Sequence, residues 1–431
     1  MPLTLVPPAP AQPRVFGRLL SQGTFYTAGM QLSNGTVILP LICAHQGLTW
    51  VAALLFPAFS FGDIVGNSVS PVVLQRVGRM RHRLLAVMAA GVAALTMCDA
   101  VIPWHGAFTA VVFLLTCAIA GVLLGIAGVA YPDMVSSKLS AVRRGELFLF
   151  QSAIGSVLAT VVTLVVVPVL AHGSEMAYRR DLLGLGAVGL AGSAIAALFV
   201  GPVRSASATT RMSMRDTYRQ GIAIARSQPW FRRYMVACLL FGPVTLGTTF
   251  YALRTAHHSR SLHVLVILSS IGLVFGSPLW RKVYRFFGVR GMMLGSALLS
   301  VAAATLTLAA EVYGQWTHVW AYGTVFLLAT VAAQAVFAAA ISWLSVVAEE
   351  AHRPTLIALS STLVALESMA LAAVLGSIAQ KHSTVWPDVV VLILAIGAAL
   401  AALGAPPSET RRALTPLRAP TATPAPILQA A

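Results

Sequence analysis

The sequence predicts an all-α polytopic membrane protein with 12 transmembrane helices in two six-helix halves. Of its 431 residues, 58% are hydrophobic and only 10% are charged, whereas soluble domains carry about 25% charged residues. Apolar runs of about 18 residues or more recur along the chain, and each is long enough to cross a bilayer. The second half of the chain also repeats a pair of glycines and a short sequence segment of the first half. Because the runs are continuous and do not alternate, a β-barrel is excluded.

Twelve apolar runs define the predicted spans and, with them, five segments of the chain. We expect an N-terminal tail at 1–21, a six-helix bundle at 22–202, a linker at 203–233, a second bundle at 234–404 and a disordered tail at 405–431, which is rich in Pro, Ala and Thr. The spans run near 22–43, 48–74, 84–103, 107–132, 147–171, 182–202, 234–256, 261–280, 291–313, 317–347, 355–380 and 387–404.

The basic residues predict the orientation of these spans. Of the 29 Lys and Arg residues, 24 fall in the two tails and in the loops after spans 2, 4, 6, 8 and 10, and five fall on the other side. Basic residues concentrate on the cytoplasmic side of membrane proteins. Both termini are therefore expected in the cytoplasm, and the protein in the cytoplasmic (inner) membrane. The same placement at span ends explains the net charge of +16 without nucleic acid as a partner.

The linker between the two bundles is predicted to contain one short amphipathic helix. Ser213 and Asp216 have the spacing of a capping box. Isoleucine and alanine alternate with basic residues from there to Arg226, as in a helix that lies at the cytoplasmic interface. No soluble segment is long enough to hold an enzyme domain.

An internal repeat relates the two halves. Two glycines 12 residues apart lie on either side of the end of the predicted second span. An equivalent pair lies around the end of the eighth span, 210 residues later. The segments VRRGELF at 142–148 and HRPTLIA at 352–358 correspond with an offset near 209. Six spans repeated in parallel are typical of transporters whose halves are related by an axis along the membrane normal. The glycines are Gly66 and Gly78, then Gly276 and Gly288.

The loop after span 2 reads Pro-Val-Val-Leu-Gln-Arg-Val-Gly-Arg-Met-Arg at 71–81. With the repeat, it makes residues 14–404 resemble the major facilitator superfamily, whose loop usually reads Gly-x-Leu-Ala-Asp-Arg-x-Gly-Arg-Lys. Arg76, Gly78 and Arg79 match, while Gln75 stands at the acidic position. The resemblance implies that this loop is a cytoplasmic latch. Asp133, at the cytoplasmic end of span 4, is the candidate replacement carboxylate for Arg79.

The resemblance does not extend to the drug/proton antiporters of this superfamily. Those proteins carry an arginine in span 4 shortly before a glycine, and the residues before Gly121 here include none. Their fifth span carries a Gly-Pro-x-x-Gly-Gly kink, where this chain has only Gly155. Gly121, Gly125 and Gly128 have the small-residue spacing that permits close helix packing.

Two carboxylates are predicted deep inside the membrane. Asp63 in span 2 and Glu367 in span 11 both lie about 20 Å from the cytoplasmic helix ends at a rise of about 1.5 Å per residue. Intramembrane carboxylates are costly and mark pathways or buried pairs. The resemblance implies that spans 2 and 11 pack together. The two residues are candidates for proton coupling or substrate binding; the alternative is a hydrogen bond to a neighbouring helix or contact with water.

The central cavity implied by the resemblance is lined by spans 1, 4, 7 and 10. Its candidate polar groups are uncharged, which favours an amphipathic organic substrate over an anion, although each could instead bond a neighbouring helix. They are Gln31, Asn34, Thr248, Thr249, Tyr251 and Gln334.

These features predict a secondary active transporter, a proton-coupled efflux protein for a small organic compound. Uptake by symport and a transport-inactive membrane sensor or assembly partner are the alternatives. The expected partners are the small-molecule substrate, the lipid bilayer and protons, for a monomeric protein without catalytic residues, metal or cofactor. The cysteines lack metal-binding spacing and are expected to be small core residues: Cys43, Cys98, Cys117 and Cys238.

Overall fold

The computed structural model describes residues 12–33, 38–45, 49–102, 106–166, 169, 175–203, 213–255, 261–315, 318–349, 352–381 and 385–406, which are nearly all helical and include no strand. Within these ranges, seven continuous helical stretches are long and apolar enough to cross a membrane, and Trp386–Ala402 is a shorter apolar helix. Two of the seven contain two spans each, joined at glycines with positive φ: Gly78 at 57° and Gly288 at 65°. The chain is therefore a multi-pass membrane protein.

The helices follow the predicted order of 12 spans. Spans 1 to 6 are Gln12–Ser33 with Ile38–His45, Thr49–Val77, Arg81–Val101, Gly106–Lys138, Ala141–Val161 with the π-helical Val162–Val166, and Glu175–Val200. Spans 7 to 12 are Pro229–Thr255, the two parts of Ser261–Val312 on either side of Gly288, Val319–Val347, Arg353–Lys381 and Val385–Ala402. The helix Met214–Ser227 joins the two halves, and we call it the linker helix.

Span 1 begins earlier than the sequence predicts. Its helix starts at Gln12, inside the expected tail at 1–21, and Leu19 is completely buried. Arg18 donates a hydrogen bond from Nη1 to the carbonyl of Phe199 at the end of span 6, over 2.9 Å. The helix thus continues past the apolar run because its polar turns pack on the neighbouring helix end, which hydropathy alone does not indicate. Residues 407–431 of the predicted C-terminal tail lie outside the described ranges.

The linker helix has the predicted cap and packs on both halves. The backbone N–H of Asp216 donates to Ser213 Oγ over 3.2 Å, as in a capping box. The Tyr218 hydroxyl donates to the carbonyl of Ser68 in span 2 over 2.6 Å. Burial raises the pKa of this phenol, so the hydroxyl remains a donor at neutral pH. On span 11, Thr355 lies so close that a Cβ on Gly221 would be 2.6 Å from its Cγ2.

The packing of the spans follows the repeat. In the first half, span 2 packs on span 4, and span 6 packs on spans 1 and 3. In the second half, spans 8 and 9 pack on spans 10 and 12. The halves meet mainly where span 2 contacts span 11 and where span 5 contacts span 8. The repeat relates these two contacts to each other, and the predicted packing of spans 2 and 11 is confirmed.

Spans 2 and 4 approach each other until their backbones touch. A Cβ on Gly66 would lie 2.2 Å from the carbonyl oxygen of Val122, and one on Gly121 would lie 2.2 Å from that of Phe59. Gly62 and Gly125 are equally tight, at 2.0 Å and 2.5 Å from backbone oxygens of the facing span. The predicted small-residue packing holds for Gly121 and Gly125, whereas Gly128 has nothing within 4 Å of its Cβ position.

Substitution of Gly66 by alanine is expected to destabilise the protein, because a methyl group has no space between the two backbones. We expect a loss of about 1–3 kcal/mol, typical of overpacking, seen as a lower thermal unfolding temperature in detergent. The control is Gly184→Ala in span 6, where a Cβ meets nothing within 4 Å. Equal unfolding temperatures for the two variants would contradict the close contact.

Candidate functional site

The two halves are joined at one end of the bundle. We call this end the arginine-rich face, defined by Arg79, Arg144, Arg281 and Arg353. Arg281 Nε donates to Glu146 Oε1 over 2.9 Å, which links span 8 to span 5. The hydroxyls of Ser136 in span 4 and Ser345 in span 10 lie 2.7 Å apart and share a hydrogen bond. Among the described residues, these contacts hold the two halves together at the arginine-rich face, so the protein is closed at this end.

The repeat is visible in the side chains at this face. Arg144 and Arg353 are both buried and correspond to each other at an offset of 209 residues. Arg144 Nε donates to the carbonyl of Leu139 over 3.0 Å, and Arg353 Nη2 donates to that of Ala348 over 3.4 Å. Each arginine thus binds the carbonyl five residues before it, at the end of the preceding span, which supports the proposed repeat.

A disulfide between positions 136 and 345 is expected to form readily. The 2.7 Å separation of the serine hydroxyls shows that the two side chains point at each other, and a disulfide joins Cβ atoms about 3.5–4.5 Å apart. In a variant with the native cysteines replaced, Ser136→Cys with Ser345→Cys should cross-link under mild oxidation. The control pair, Ser137→Cys with Ser345→Cys, should not, because Ser137 donates back to the carbonyl of Met134 in its own helix. A cross-link can be detected by cleaving the linker and comparing gel mobility with and without reductant.

The loop motif adopts a pairing that differs from the sequence-based hypothesis. Asp133 is 1% exposed and forms a salt bridge with Arg81, not with Arg79. Arg76 and Arg79 are exposed, and the backbone of Arg79 accepts a hydrogen bond from the N–H of Val203 over 3.0 Å. The positive φ of 57° at Gly78 begins the turn that carries Arg81 back to span 4, and the linear motif does not show this turn.

Removal of Arg81 is expected to cost more stability than removal of Arg79. Arg81→Ala leaves the buried Asp133 carboxylate without its cation, and breaking a buried pair costs about 3–5 kcal/mol. Arg79→Ala removes an exposed side chain of the same type and serves as the matched control. Thermal unfolding in detergent measures both. A larger effect at Arg79 would restore the original pairing hypothesis.

Two adjoining cavities lie between the halves. The first, of about 310 Å³, is lined mainly by the first half and includes Tyr26, Gln151 and Gln334; we call it the Tyr26 cavity. The second, of about 320 Å³, is lined by Asp63 and by spans 7, 10 and 11; we call it the Asp63 cavity. Both cavities include Gly128, Pro132 and Phe337 in their walls. These three residues therefore form the boundary between them.

Asp63 projects from the span 2 segment that is clamped against span 4. Its Oδ2 accepts a hydrogen bond from Asn67 Nδ2 over 3.0 Å, one helical turn away. Asn67 is buried, and its backbone N lies 2.7 Å from a Cβ position on Gly125. Asp63 is partly buried and lines a cavity whose other walls come largely from the second half. A carboxylate in this position can hold a proton or a donor group of a ligand.

Glu367 lies beside the same cavity from span 11. A Cβ on Gly242, which lines the Asp63 cavity, would be 2.3 Å from Glu367 Oε2. The oxygen Oε2 is buried and has no hydrogen-bond partner among the described residues. The absence of a side chain at Gly242 therefore makes room for this carboxylate. Asp63 thus lines the cavity from the first half, and Glu367 lies next to a residue of its wall in the second half.

The other predicted cavity residues have different outcomes. Gln31 is exposed and donates to Ser156 Oγ over 2.7 Å, so it joins span 1 to span 5 and lines neither cavity. Gln334 lines the Tyr26 cavity and donates to Ser277 Oγ over 2.9 Å. Asn34 lies outside the described residues, as do the side chains of Thr248, Thr249 and Tyr251.

Several polar residues inside the spans were missed by sequence reasoning. Gln151 donates to the carbonyl of Leu19 over 2.7 Å and to the Tyr131 hydroxyl, and both side chains line the Tyr26 cavity. Asp99, in span 3, is 5% exposed and accepts from Thr116 Oγ1 over 2.9 Å. The signal for Asp99 was a lone acid inside an apolar run. Cys43, Cys117 and Cys238 are buried as expected, while Cys98 is exposed.

Solved structures of membrane transporters share this fold over most of the chain. The human organic anion transporter MFSD10 (TETRAN) has a TM-score of 0.70 and 15% identity, covering 92% of this chain and 100% of its own. A bacterial homologue of the iron transporter ferroportin, in an outward-facing state, has a TM-score of 0.68 and 14% identity over 90% and 98%. The proton:xylose symporter XylE of the major facilitator superfamily reaches 0.66 and 13% over 90% and 94%. The chain has the 12-helix fold of the major facilitator superfamily.

Sequence relatives define its family more narrowly. The chain is 63% identical over 404 residues to Uncharacterized protein Rv2209 of Mycobacterium tuberculosis, covering 93% of this chain and 79% of that protein. The Mycobacterium bovis protein Mb2232 matches with the same identity and coverage. No family model matches the sequence. The chain belongs to the family of these mycobacterial proteins.

Proposed function

We propose that this protein is a secondary active transporter that moves a small amphipathic organic compound by alternating access and couples its export to protons. The observation that carries the proposal is the pair Asp63 and Glu367. The two carboxylates come from opposite halves: Asp63 lines the cavity at their interface, and Glu367 lies next to Gly242 in the wall of that cavity. A change in the contact between the halves would change the surroundings of both groups at once. The carboxylates can then bind a proton in one arrangement of the halves and release it in the other, because the affinity of a carboxylate for protons depends on its solvation and neighbours.

The cavity walls support an uncharged or weakly polar substrate body. The Tyr26 cavity is lined by aliphatic and aromatic side chains with a few hydrogen-bonding groups, among them Gln22, Tyr26 and Gln151. No Lys or Arg is among the described residues that line either cavity. A site for a phosphate or sulfate would be expected to carry a buried cation. An amphipathic compound fits such walls better than an anion does.

The closed arginine-rich face supports the alternating-access part of the proposal. We assign this face to the cytoplasm from the distribution of basic residues, which places both termini there and the protein in the cytoplasmic membrane. On this assignment the structure is closed to the cytoplasm, and reopening requires the loss of the Ser136–Ser345 and Glu146–Arg281 contacts. The linker helix also bridges the halves, through Tyr218 on span 2 and Gly221 on span 11.

Two other functions remain as alternatives. Uptake by proton symport is supported by the similarity to XylE, which is a proton:xylose symporter, and would use the same carboxylates in the opposite direction. A transport-inactive sensor or assembly partner is the alternative of a different class. It is suggested by the altered loop motif, in which Gln75 replaces the acid. The proposal assigns no catalytic reaction and requires no cofactor, and a monomer is sufficient for it.

Proteoliposomes test the proposal directly. The purified full-length protein is reconstituted, a pH gradient is imposed, and uptake is followed for three amphipathic dyes: uncharged N-phenyl-1-naphthylamine, cationic rhodamine 6G and anionic anilinonaphthalene sulfonate. We expect gradient-driven accumulation of at least one dye. Asp63→Asn and Glu367→Gln should each lower that rate by about tenfold, within the usual range of coupling effects, because neither amide can carry a proton.

The control variant is Glu311→Gln, which changes a carboxylate near the end of span 9, outside both cavities. Counterflow of the same dye without a gradient separates the roles of the two sites. Retained counterflow in Asp63→Asn or Glu367→Gln identifies coupling, and lost counterflow identifies substrate binding. Full gradient dependence in both variants would refute the coupling role. Absence of transport for every dye, with the protein folded, would favour the sensor alternative.

A further inference from the structure

A third cavity lies inside the first half, away from the interface between the halves. Its volume is about 280 Å³, and spans 1, 2, 3, 4 and 6 contribute to its walls. We call it the Asp99 cavity. Its polar side chains are Ser33, Thr96, Asp99, Thr116 and Cys117. Leu124 is in the walls of both this cavity and the Tyr26 cavity and therefore stands between them.

The three hydroxyl groups of this cavity have acceptor capacity left for a ligand. Thr96 Oγ1 donates its proton to the carbonyl of Val92 over 2.9 Å, and Ser33 Oγ donates to that of Gly29 over 2.7 Å. Thr116 Oγ1 directs its proton to Asp99 Oδ1 and to a backbone carbonyl. A hydroxyl has only one proton to donate, so the remaining capacity of these oxygens is to accept. A molecule in the cavity therefore meets a carboxylate and hydroxyl lone pairs.

The remaining walls are apolar. Met30, Leu55, Phe59 and Leu183 line the same cavity, and an aromatic ring within reach of a cation attracts it. The volume of 280 Å³ is larger than a bare metal ion needs and suits a small organic molecule. Asp99 itself is 5% exposed, so a charge placed beside it is shielded from bulk water and interacts strongly.

We propose that the Asp99 cavity binds a small alkylammonium cation, with the ammonium group at Asp99 and Thr116 and the alkyl groups against Phe59 and Leu183. The site lies within one half of the protein and is separate from the Asp63 cavity. This binding site does not depend on the proposed transport function. Leu124 separates it from the Tyr26 cavity.

Thermal unfolding of the full-length protein in detergent tests the site with a defined probe, tert-butylammonium chloride at pH 7. Sodium chloride at the same concentration controls for ionic strength, and tert-butanol is the neutral molecule of similar shape. We expect the ammonium salt to raise the unfolding temperature by about 2 °C near saturation, as ligand binding to the native state does. Sodium chloride and tert-butanol should leave it unchanged.

Four variants locate the site. Asp99→Asn should abolish the shift. Ala120→Leu keeps the carboxylate but fills the cavity that Ala120 lines, and it should abolish the shift too, which covers the case in which Asp99→Asn fails to fold. Asp181→Asn removes a carboxylate of span 6 that does not line the cavity, and it should keep the shift. Asp63→Asn should keep it as well.

Four results would overturn the proposal. The first is the absence of any shift in the wild-type protein with the ammonium salt. The second is a shift that survives Ala120→Leu, because the cation then binds elsewhere. The third is a shift that Asp63→Asn removes and Asp99→Asn retains, which would assign the cation to the interface between the halves. An equal shift with sodium chloride would identify an inorganic cation site and would equally contradict the alkylammonium assignment.

Discussion

The contact between the backbones of spans 2 and 4 is the constraint on which the interface between the halves depends. Gly62, Gly66, Gly121 and Gly125 bring these helices so close that a methyl group on any of them would lie within 2.5 Å of a backbone oxygen. In a membrane, where lipid is as apolar as the helix surface, such close packing is a main source of helix association. Span 2 therefore has one permitted rotation about its axis. That rotation directs Asp63 into the cavity shared with the second half.

The two halves share a backbone plan but not their charges. The repeat preserves the buried pair Arg144 and Arg353, whose side chains bind the carbonyls five residues earlier. It does not preserve Arg81, which pairs with Asp133: the position 210 residues later is Gly291, and the neighbouring Arg290 donates instead to the carbonyls of Leu403 and Ala405 at the end of span 12. The repeat thus preserves the arginine side chains that bind carbonyls at helix ends. The ion pair between Arg81 and Asp133 is found in the first half and is not repeated among the described residues of the second.

Hydropathy and charge predicted most of the architecture. The order of the spans, the capped linker helix and the glycine packing of span 4 follow from local patterns: apolar length, cap spacing and small-residue spacing. The start of span 1 was missed because Arg14 and Arg18 interrupt the apolar run, although the helix continues through them. A helix that leaves the bilayer but stays packed on a neighbour has no hydropathic signature.

The candidate site was harder to predict because it depends on contacts across the fold. Asp63 and Glu367 could be selected because each is a lone carboxylate in a long apolar span. Arg81 as the partner of Asp133 depends on the turn at Gly78, and the choice between Arg79 and Arg81 is a matter of about two residues of register that sequence does not resolve. Gln31 shows the reverse error: a polar residue on a cavity-forming span faces a neighbouring helix, Ser156 being its acceptor.

The linker helix has a mechanical consequence for the whole molecule. Only Gln228 separates its last residue, Ser227, from the start of span 7 at Pro229, so there is no slack in the chain at that junction. The linker helix is thus connected directly to the second half, while its Tyr218 contacts span 2 of the first. A displacement of span 7 relative to the first half would therefore also act on the Tyr218–Ser68 contact, outside the cavities.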